Sequence, residues 1–299
     1  MGRVSNIVRH QLLAAELRRL RVEIGLSGPS VAKALGWSPA KFSRIESALV
    51  RPSRSDMLIL LDHYGVVEPA RAGLLLLANQ AAQRNWWDAH AKALPGGYLE
   101  YIGLEFEAAR VTNWEGLVLP GLLQTDELVG AINSAGEDFF AVPPSAVRVR
   151  NQVRLTRQKL LTDPDPLDFT AVIDEVVLHR TVSLLRDVGG AEAARRQFAH
   201  LIEMAQRDNV TVHVIELWKT YPLVATSSLI RMAFEPVEEA AGLVHPDVAY
   251  MESVAGGSLA YDEEEVYQFD RLLKYLVNKS LNPEDSLRLI HRVAGEIED

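Results

Sequence analysis

The chain has 299 residues, 48% apolar and 24% charged, with no cysteine and a formal net charge of −9. This composition excludes a disordered chain, a disulfide framework and a thiolate metal site, and no apolar run approaches the roughly 18 residues of a membrane helix. The length predicts two compact units, and a start of MGRVSNIVRH, without the apolar core of a signal peptide, predicts a cytoplasmic location.

The negative total argues against nucleic acid until it is divided along the chain. Residues 1–65 hold ten Lys/Arg and five Asp/Glu, a balance of +5, leaving 21 against 35, or −14, for residues 66–299. A small basic module attached to an acidic body fits a chain that meets phosphates with one end only.

In chain order, Leu12, Leu13, Leu17, Leu20 and Ile24 recur at helical spacing before Gly25, so residues 9–24 read as a first helix. Ser27 caps a second through SGPSVAKAL, with Val31, Ala32 and Leu35 inward and Gly36 at the bend. Ser38 as cap and Pro39 at the first helical position open a third, SPAKFSRIES, with Phe42 and Ile45 inward. Ser55 reads as the start of a fourth along DMLILLDHY. Pro69 opens a long fifth through ARAGLLLLANQAAQRNWWDAHAKAL, expected to leave the bundle and to break between Leu94 and Gly97.

The rest changes character. GLEFEAARVTNWEGLVLPGLLQT reads as mixed helix and loop, followed by a helix at DELVGAINSAG and a basic one from about Pro144 to Leu161. Runs rich in β-formers occupy 168–173, 210–217, 227–235, 247–253 and 257–261, with a helix near 190–207 between the first two. Helices over about 263–278 and 283–296 close the chain. The expected fold class is α+β: an all-α five-helix bundle over residues 1–92 joined to a larger mixed α/β domain over residues 93–299, whose mostly antiparallel sheet is covered by helices.

Helices two and three, joined by a short turn, have the form of a helix-turn-helix that presents the third helix to a DNA major groove. With Phe42 and Ile45 inward, Ser38, Ala40, Lys41, Ser43 and Arg44 fall on the outer side. Arg and Lys there suit guanine edges, and small residues suit close approach. Arg51, Ser53 and Arg54, together with the helix starts at Ser27 and Ser55, suit phosphates. Glu46 would repel phosphate if free, and is expected to pair with an arginine of the first helix, such as Arg18.

The run LGWSPAKFSRIESALVRPS resembles the second half of the helix-turn-helix of XRE-type regulators. Together with NWWDAH, YIGLEFEAARVTNWEGLVLPGLLQT and IDEVVLHR, the chain is similar over nearly its full length to an actinomycete family in which an XRE module precedes a poorly characterised domain for an effector or a partner protein. The resemblance implies a cytoplasmic transcriptional regulator, nucleoid-associated when bound, that reads a double-stranded operator. One departure is that Ala48 and Leu49 follow Ser47, where comparable proteins often carry glycine.

A single recognition helix reads few base pairs, so a homodimer is expected. In the body, VRVRNQVRLTRQKL carries Arg148, Arg150, Arg154, Arg157 and Lys159 without an acid, either as a solvated face or against something acidic, including this domain's own surface. Gln124 stands alone in an apolar run, set for a buried loop or a ligand. Asp174, Glu175, His179 and Arg180 follow a strand directly. An Asp there reads first as a helix cap, and the group reads secondarily as part of an effector pocket. Gln124, Arg154, Asp174, Glu175 and Arg180 are the candidate ligand- or partner-binding residues. His213 reads as a satisfied sheet residue, and Trp86, Trp87 and Trp114 as core.

No nucleophile elbow, phosphate loop, dinucleotide fingerprint or metal-ligand spacing is present, so no catalytic residue, cofactor or metal is expected. The reading is a regulator that responds to a small-molecule effector or a companion protein, with no membrane partner. Its alternatives are an antitoxin-like autoregulator that sequesters a small protein and, more weakly, an enzyme with a DNA-binding appendage.

Overall fold

The computed structural model describes residues 3–95, 97–140, 144–219, 228–238, 242–253 and 256–298. Gly96, inside the expected break between Leu94 and Gly97, and Ser227, the first residue of the expected strand 227–235, lie outside these. The chain forms two units: residues 1–88 with 234–245, and residues 89–233 with 246–299.

The first unit contains α1 (Asn6–Glu23), α2 (Gly28–Ala34), α3 (Pro39–Glu46), α4 (Arg54–His63) and α5 (Ala70–Ala82). Serines at N-cap positions start four of these helices. Ser5, Ser27, Ser38 and Ser53 each accept from a backbone N–H of the following turn, satisfying donors the helix itself cannot. The fourth cap is Ser53 and not the expected Ser55. The deciding residue is Asp56, whose carboxylate answers the Ser53 N–H at 3.1 Å while Ser53 Oγ accepts from Asp56 N, completing a capping box. Leu13, Leu17, Val31, Phe42, Ile45, Met57, Leu61 and Leu77 form the buried core.

The expected long fifth helix stops at Ala82, and Trp86–Ala93 is a 3₁₀ helix. The interruption at 83–85 has a partner. Asn85 Oδ1 accepts from Asn6 N at 2.9 Å, and Asn6 Nδ2 donates to Gln83 O and Asp88 Oδ2. Polar groups that would have ended α5 in water instead close the start of α1. Phe234 and His245 also contribute here, with His245 Nε2 2.8 Å from Gln11 Oε1 and the His245 ring 4.6 Å from that of Phe234.

The second unit holds α6 (Tyr98–Glu107), β1 (Arg110–Glu115), α7 (Asp126–Phe140), α8 (Pro144–Gln158), β2 (Asp168–Asp174), α9 (Glu175–Ala205), β3 (Val210–Ile215), β4 (Ser228–Ala233), β5 (Val248–Ser253), β6 (Gly256–Ala260), α10 (Glu263–Lys279) and α11 (Pro283–Gly295). Among the described residues the sheet has six strands in the order β3-β2-β1-β4-β5-β6. The β1–β2 and β2–β3 pairs are parallel, and the other three pairs are antiparallel.

Period-two alternation divides the sheet into two faces. On one, Trp114, Val172, Ile215, Leu229 and Ala249 pack against Leu273 and Leu276 of α10. The other face carries Val111, Asn113 and Glu115 from β1, Phe169 from β2, Ile230 from β4 and Tyr250 from β5, alongside α6 and α8.

Two features differ from the expected layout. Strand β1 lies inside the stretch read as mixed helix and loop, because RVTNWE places polar residues at the alternate positions that face inward. Helix α9 begins at Glu175, well before residue 190. Its midpoint is broken at Gly190, whose φ of 70° and ψ of −176° are not helical, so two helical halves meet there and the expected helix is the second of them.

Candidate functional site

The α2–α3 turn is built by Gly36. Its φ of 67° is the left-handed conformation that glycine adopts without steric cost. Gly36 N donates to Lys33 O, and Trp37 N to Ala32 O at 2.8 Å, which ends α2 tightly and lets Ser38 cap α3 at once.

On α3, Phe42 and Ile45 are buried, while Ala40, Ser43 and Arg44 are exposed. Arg51 and Arg54 are exposed as well, and among the described residues Arg44, Arg51 and Arg54 have no ion-pair partner. Ser27 and Ser38 spend their hydroxyl oxygens as caps.

Lys41 is differently placed. Its Nζ lies 2.5 Å from Asp56 Oδ1 and 4.0 Å from the Trp37 ring centroid, so its charge is committed to α4. Glu46 pairs with an arginine of α1, but with Arg21 and not Arg18.

The end of α3 explains the departure at Ala48. Ala48 N donates to Ile45 O and Leu49 N to Arg44 O at 2.9 Å, the pattern of a helix end that requires a left-handed residue. Ala48 adopts it with a φ of 53° although it carries a Cβ.

In the second unit, a polar cavity of about 40 Å³ opens between the sheet, α6 and α8. One wall is a buried ion pair. Arg157 Nε and Nη2 donate to Glu105 Oε2 and Oε1, each at 2.6 Å, and Nη2 also reaches the Tyr101 hydroxyl. Tyr98 accepts from Arg157 Nη1, and the Tyr101 hydroxyl donates to Glu105. Burial opposes the Arg157 charge, but Glu105 and the tyrosines more than offset it and hold the guanidinium well above its usual range. Tyr101 stacks on Tyr250 with ring centroids 4.3 Å apart.

Glu115 ends β1 beside its cross-strand partner Ser228 on β4. Its Oε1 accepts from Ser228 Oγ at 2.9 Å and from Asn113 Nδ2 at 3.2 Å. Burial pushes the carboxyl up to about 8, against the lowering effect of those two hydrogen bonds, with a small further rise from Glu252 and a small lowering from Arg154.

Gln124 and Arg154 line the same cavity and touch each other. Gln124 Nε2 donates to Leu119 O at 2.6 Å, one of the two roles expected of it, and its Oε1 accepts from Arg154 Nη1 at 3.0 Å. Asp174, Glu175 and Arg180 are not among the cavity residues. Asp174 caps α9 by accepting from Val176 N at 2.9 Å, Glu175 accepts from Leu217 N, and Arg180 reaches Gly116 O.

The basic helix therefore turns partly inward: Arg157 is buried against Glu105, and Arg150 donates to Ala93 O. His213 Nδ1 is satisfied by Leu281 O, and Trp87 and Trp114 are core. Sequence reasoning missed Glu115, Asn113, Tyr101 and Glu105. The available signal was the alternation Val111, Asn113, Glu115 just ahead of a predicted loop.

No helix among the described residues is long and apolar enough to cross a membrane. No curated protein and no solved structure matches the chain. A family model described as a helix-turn-helix domain matches residues 12–74, which covers α2 and α3 and makes the first unit a DNA-binding module. A second model, described as a domain of unknown function (DUF5753), matches residues 98–292, well over half of the chain. The chain belongs to the DUF5753 family, with a helix-turn-helix domain ahead of the family domain.

Proposed function

We propose that the protein is a sequence-specific transcriptional regulator of the XRE type, in which α3 reads an operator and the DUF5753 domain adjusts DNA affinity in response to a small molecule. The observation that carries the DNA half is the outer side of α3: Ala40, Ser43 and Arg44 are exposed beside one another, and Arg44 is unpaired among the described residues. A guanidinium so placed suits guanine O6 and N7, and small neighbours allow the helix close to the bases. Arg51 and Arg54 at the start of α4 suit the phosphate backbone. Lys41 reaches DNA only by giving up Asp56, which makes Arg44 the principal reader.

The small-molecule half is supported by the cavity in the family domain. It is polar, partly enclosed and lined by Gln124 and Arg154, and a few convergent polar groups are what fixes the orientation of a bound small molecule. This observation favours a small molecule over a companion protein. A homodimer reading two half-sites follows from the small footprint of one recognition helix. The actinomycete resemblance agrees with this architecture.

Selection of genomic fragments by the purified full chain tests the reading. A short recurring motif among the retained fragments is the expected result, and retention without any common sequence overturns it.

A further inference from the structure

The cavity holds a carboxyl and a guanidinium that do not meet. Both hydrogen bonds to Glu115 end on Oε1, so among the described residues Oε2 has no partner and is left to the cavity, although the side chain is almost wholly buried. Arg154 stands close enough to act on Glu115 electrostatically, but its one hydrogen bond goes to the neutral Gln124 Oε1. Arg157, the other cation of the cavity, is consumed by Glu105 and the tyrosine hydroxyls. Burial keeps the Glu115 carboxyl protonated through neutral pH while the space is empty, and a cation placed beside Oε2 would favour its carboxylate form.

We propose that the cavity binds the head group of a small amino-carboxylate, its ammonium on Glu115 Oε2 and its carboxylate on the free N–H groups of Arg154. This rests on the reading of the family domain as a small-molecule sensor and names the class of its ligand. A lone amine would leave Arg154 with only the neutral Gln124 as partner, and a lone carboxylate would leave Glu115 in its protonated form without a cation. A zwitterion satisfies both. About 40 Å³ admits a polar head group and little more, with the stacked Tyr101 and Tyr250 as its aromatic wall.

The proton on Glu115 gives the site a signature. The charged groups facing Glu115 are Arg154 from α8 and Glu252 from β5, and its other neighbours, Asn113 and Ser228, are neutral. An ammonium needs the ionised carboxylate, so with Glu115 at about 8 affinity rises about tenfold per pH unit between about pH 6 and 7.5.

Isothermal titration of the full chain with glycine and L-alanine, against acetate and methylamine as single-charge probes, tests the proposal. The zwitterions are expected to bind at least about tenfold tighter than either single-charge probe, with the stated pH slope, and Glu115→Gln and Arg154→Met each to weaken them at least about tenfold. The wild-type slope needs no variant, so it stands even where a substitution fails to fold. Absence of zwitterion binding at millimolar concentration, a flat pH profile, or affinity unchanged in two folded variants overturns the inference. A parallel arm adds a cell extract fraction below about 1 kDa to the operator titration. If that fraction shifts operator affinity while glycine and alanine fail to bind, the ligand class is wrong and the sensor reading survives. If neither acts, both fall.

Discussion

Arg21 on α1 and Glu46 at the last turn of α3 face each other as a fork, Nε to Oε1 at 2.7 Å and Nη2 to Oε2 at 2.9 Å. The same guanidinium donates through Nη1 to Leu26 O at 2.7 Å, so one side chain ties α1, the turn before α2 and the end of the reading helix. An acid on that helix is thereby turned away from phosphate. Both side chains are mostly buried, and removing one strands the other. Glu46→Gln is expected to cost about 2 kcal/mol by urea titration; a loss below about 0.5 kcal/mol would show that the pair is decorative.

Ala48 pays a steric penalty for a φ of 53°, on the order of 1 kcal/mol for a residue with a Cβ. Ala48→Gly relieves it and retains the hydrogen bonds from residues 48 and 49 to Ile45 O and Arg44 O. The expected gain is about 0.5 kcal/mol, reduced by the larger entropy of glycine in the unfolded chain. A lower midpoint in the variant contradicts this account of the loop.

Glu115 makes stability depend on pH. Its folded value of about 8 lies above the ordinary 4.5, so the folded chain binds the extra proton between those two values. The contribution is full below about 4.5 and is lost as pH rises through about 8. Relative to Glu115→Gln, the ligand-free wild type should therefore lose a few kcal/mol between about pH 5 and 8. Parallel melting curves for the two proteins across that range would overturn the assignment.

Much of this was legible because local chemistry decided it. Ser27, Gly36, Ser38 and Pro39 fix α2, the turn and α3 by capping and backbone freedom, and Phe42 and Ile45 fix which side of α3 is buried. Asp174 is a helix cap because an Asp after a strand offers its carboxylate to the next N–H groups. The pairing of Glu46 with α1 was legible as charge logic, but choosing Arg21 over Arg18 needs the crossing of the two helices. Strand β1 and the cavity were not legible. Inward positions of a strand ordinarily read as apolar, and Asn113 and Glu115 reverse that sign because they face a polar space formed with α6 and α8, far away in sequence. The end of α5 was hidden likewise, since Asn85 breaks the helix to serve Asn6.

Arg44 and Arg54 separate two kinds of DNA contact. Arg54→Ala should weaken binding to all sequences alike and reduce the salt slope by about 1. Lys41→Met, whose charge is held by Asp56, should perturb affinity less than Arg44→Ala and cost under about 1 kcal/mol in stability. A larger effect on operator affinity from Lys41 than from Arg44 reverses that ranking.

The most direct measurement is fluorescence anisotropy of the full chain and of Arg44→Ala on a selected genomic fragment and on a scrambled copy, at fixed salt. The wild type is expected to prefer the selected fragment, and Arg44→Ala to lose about 1 to 3 kcal/mol on that fragment with little change on the scramble. Equal wild-type affinity for both fragments, or an Arg44→Ala protein as discriminating as the wild type, contradicts the assignment of α3 as the reading helix.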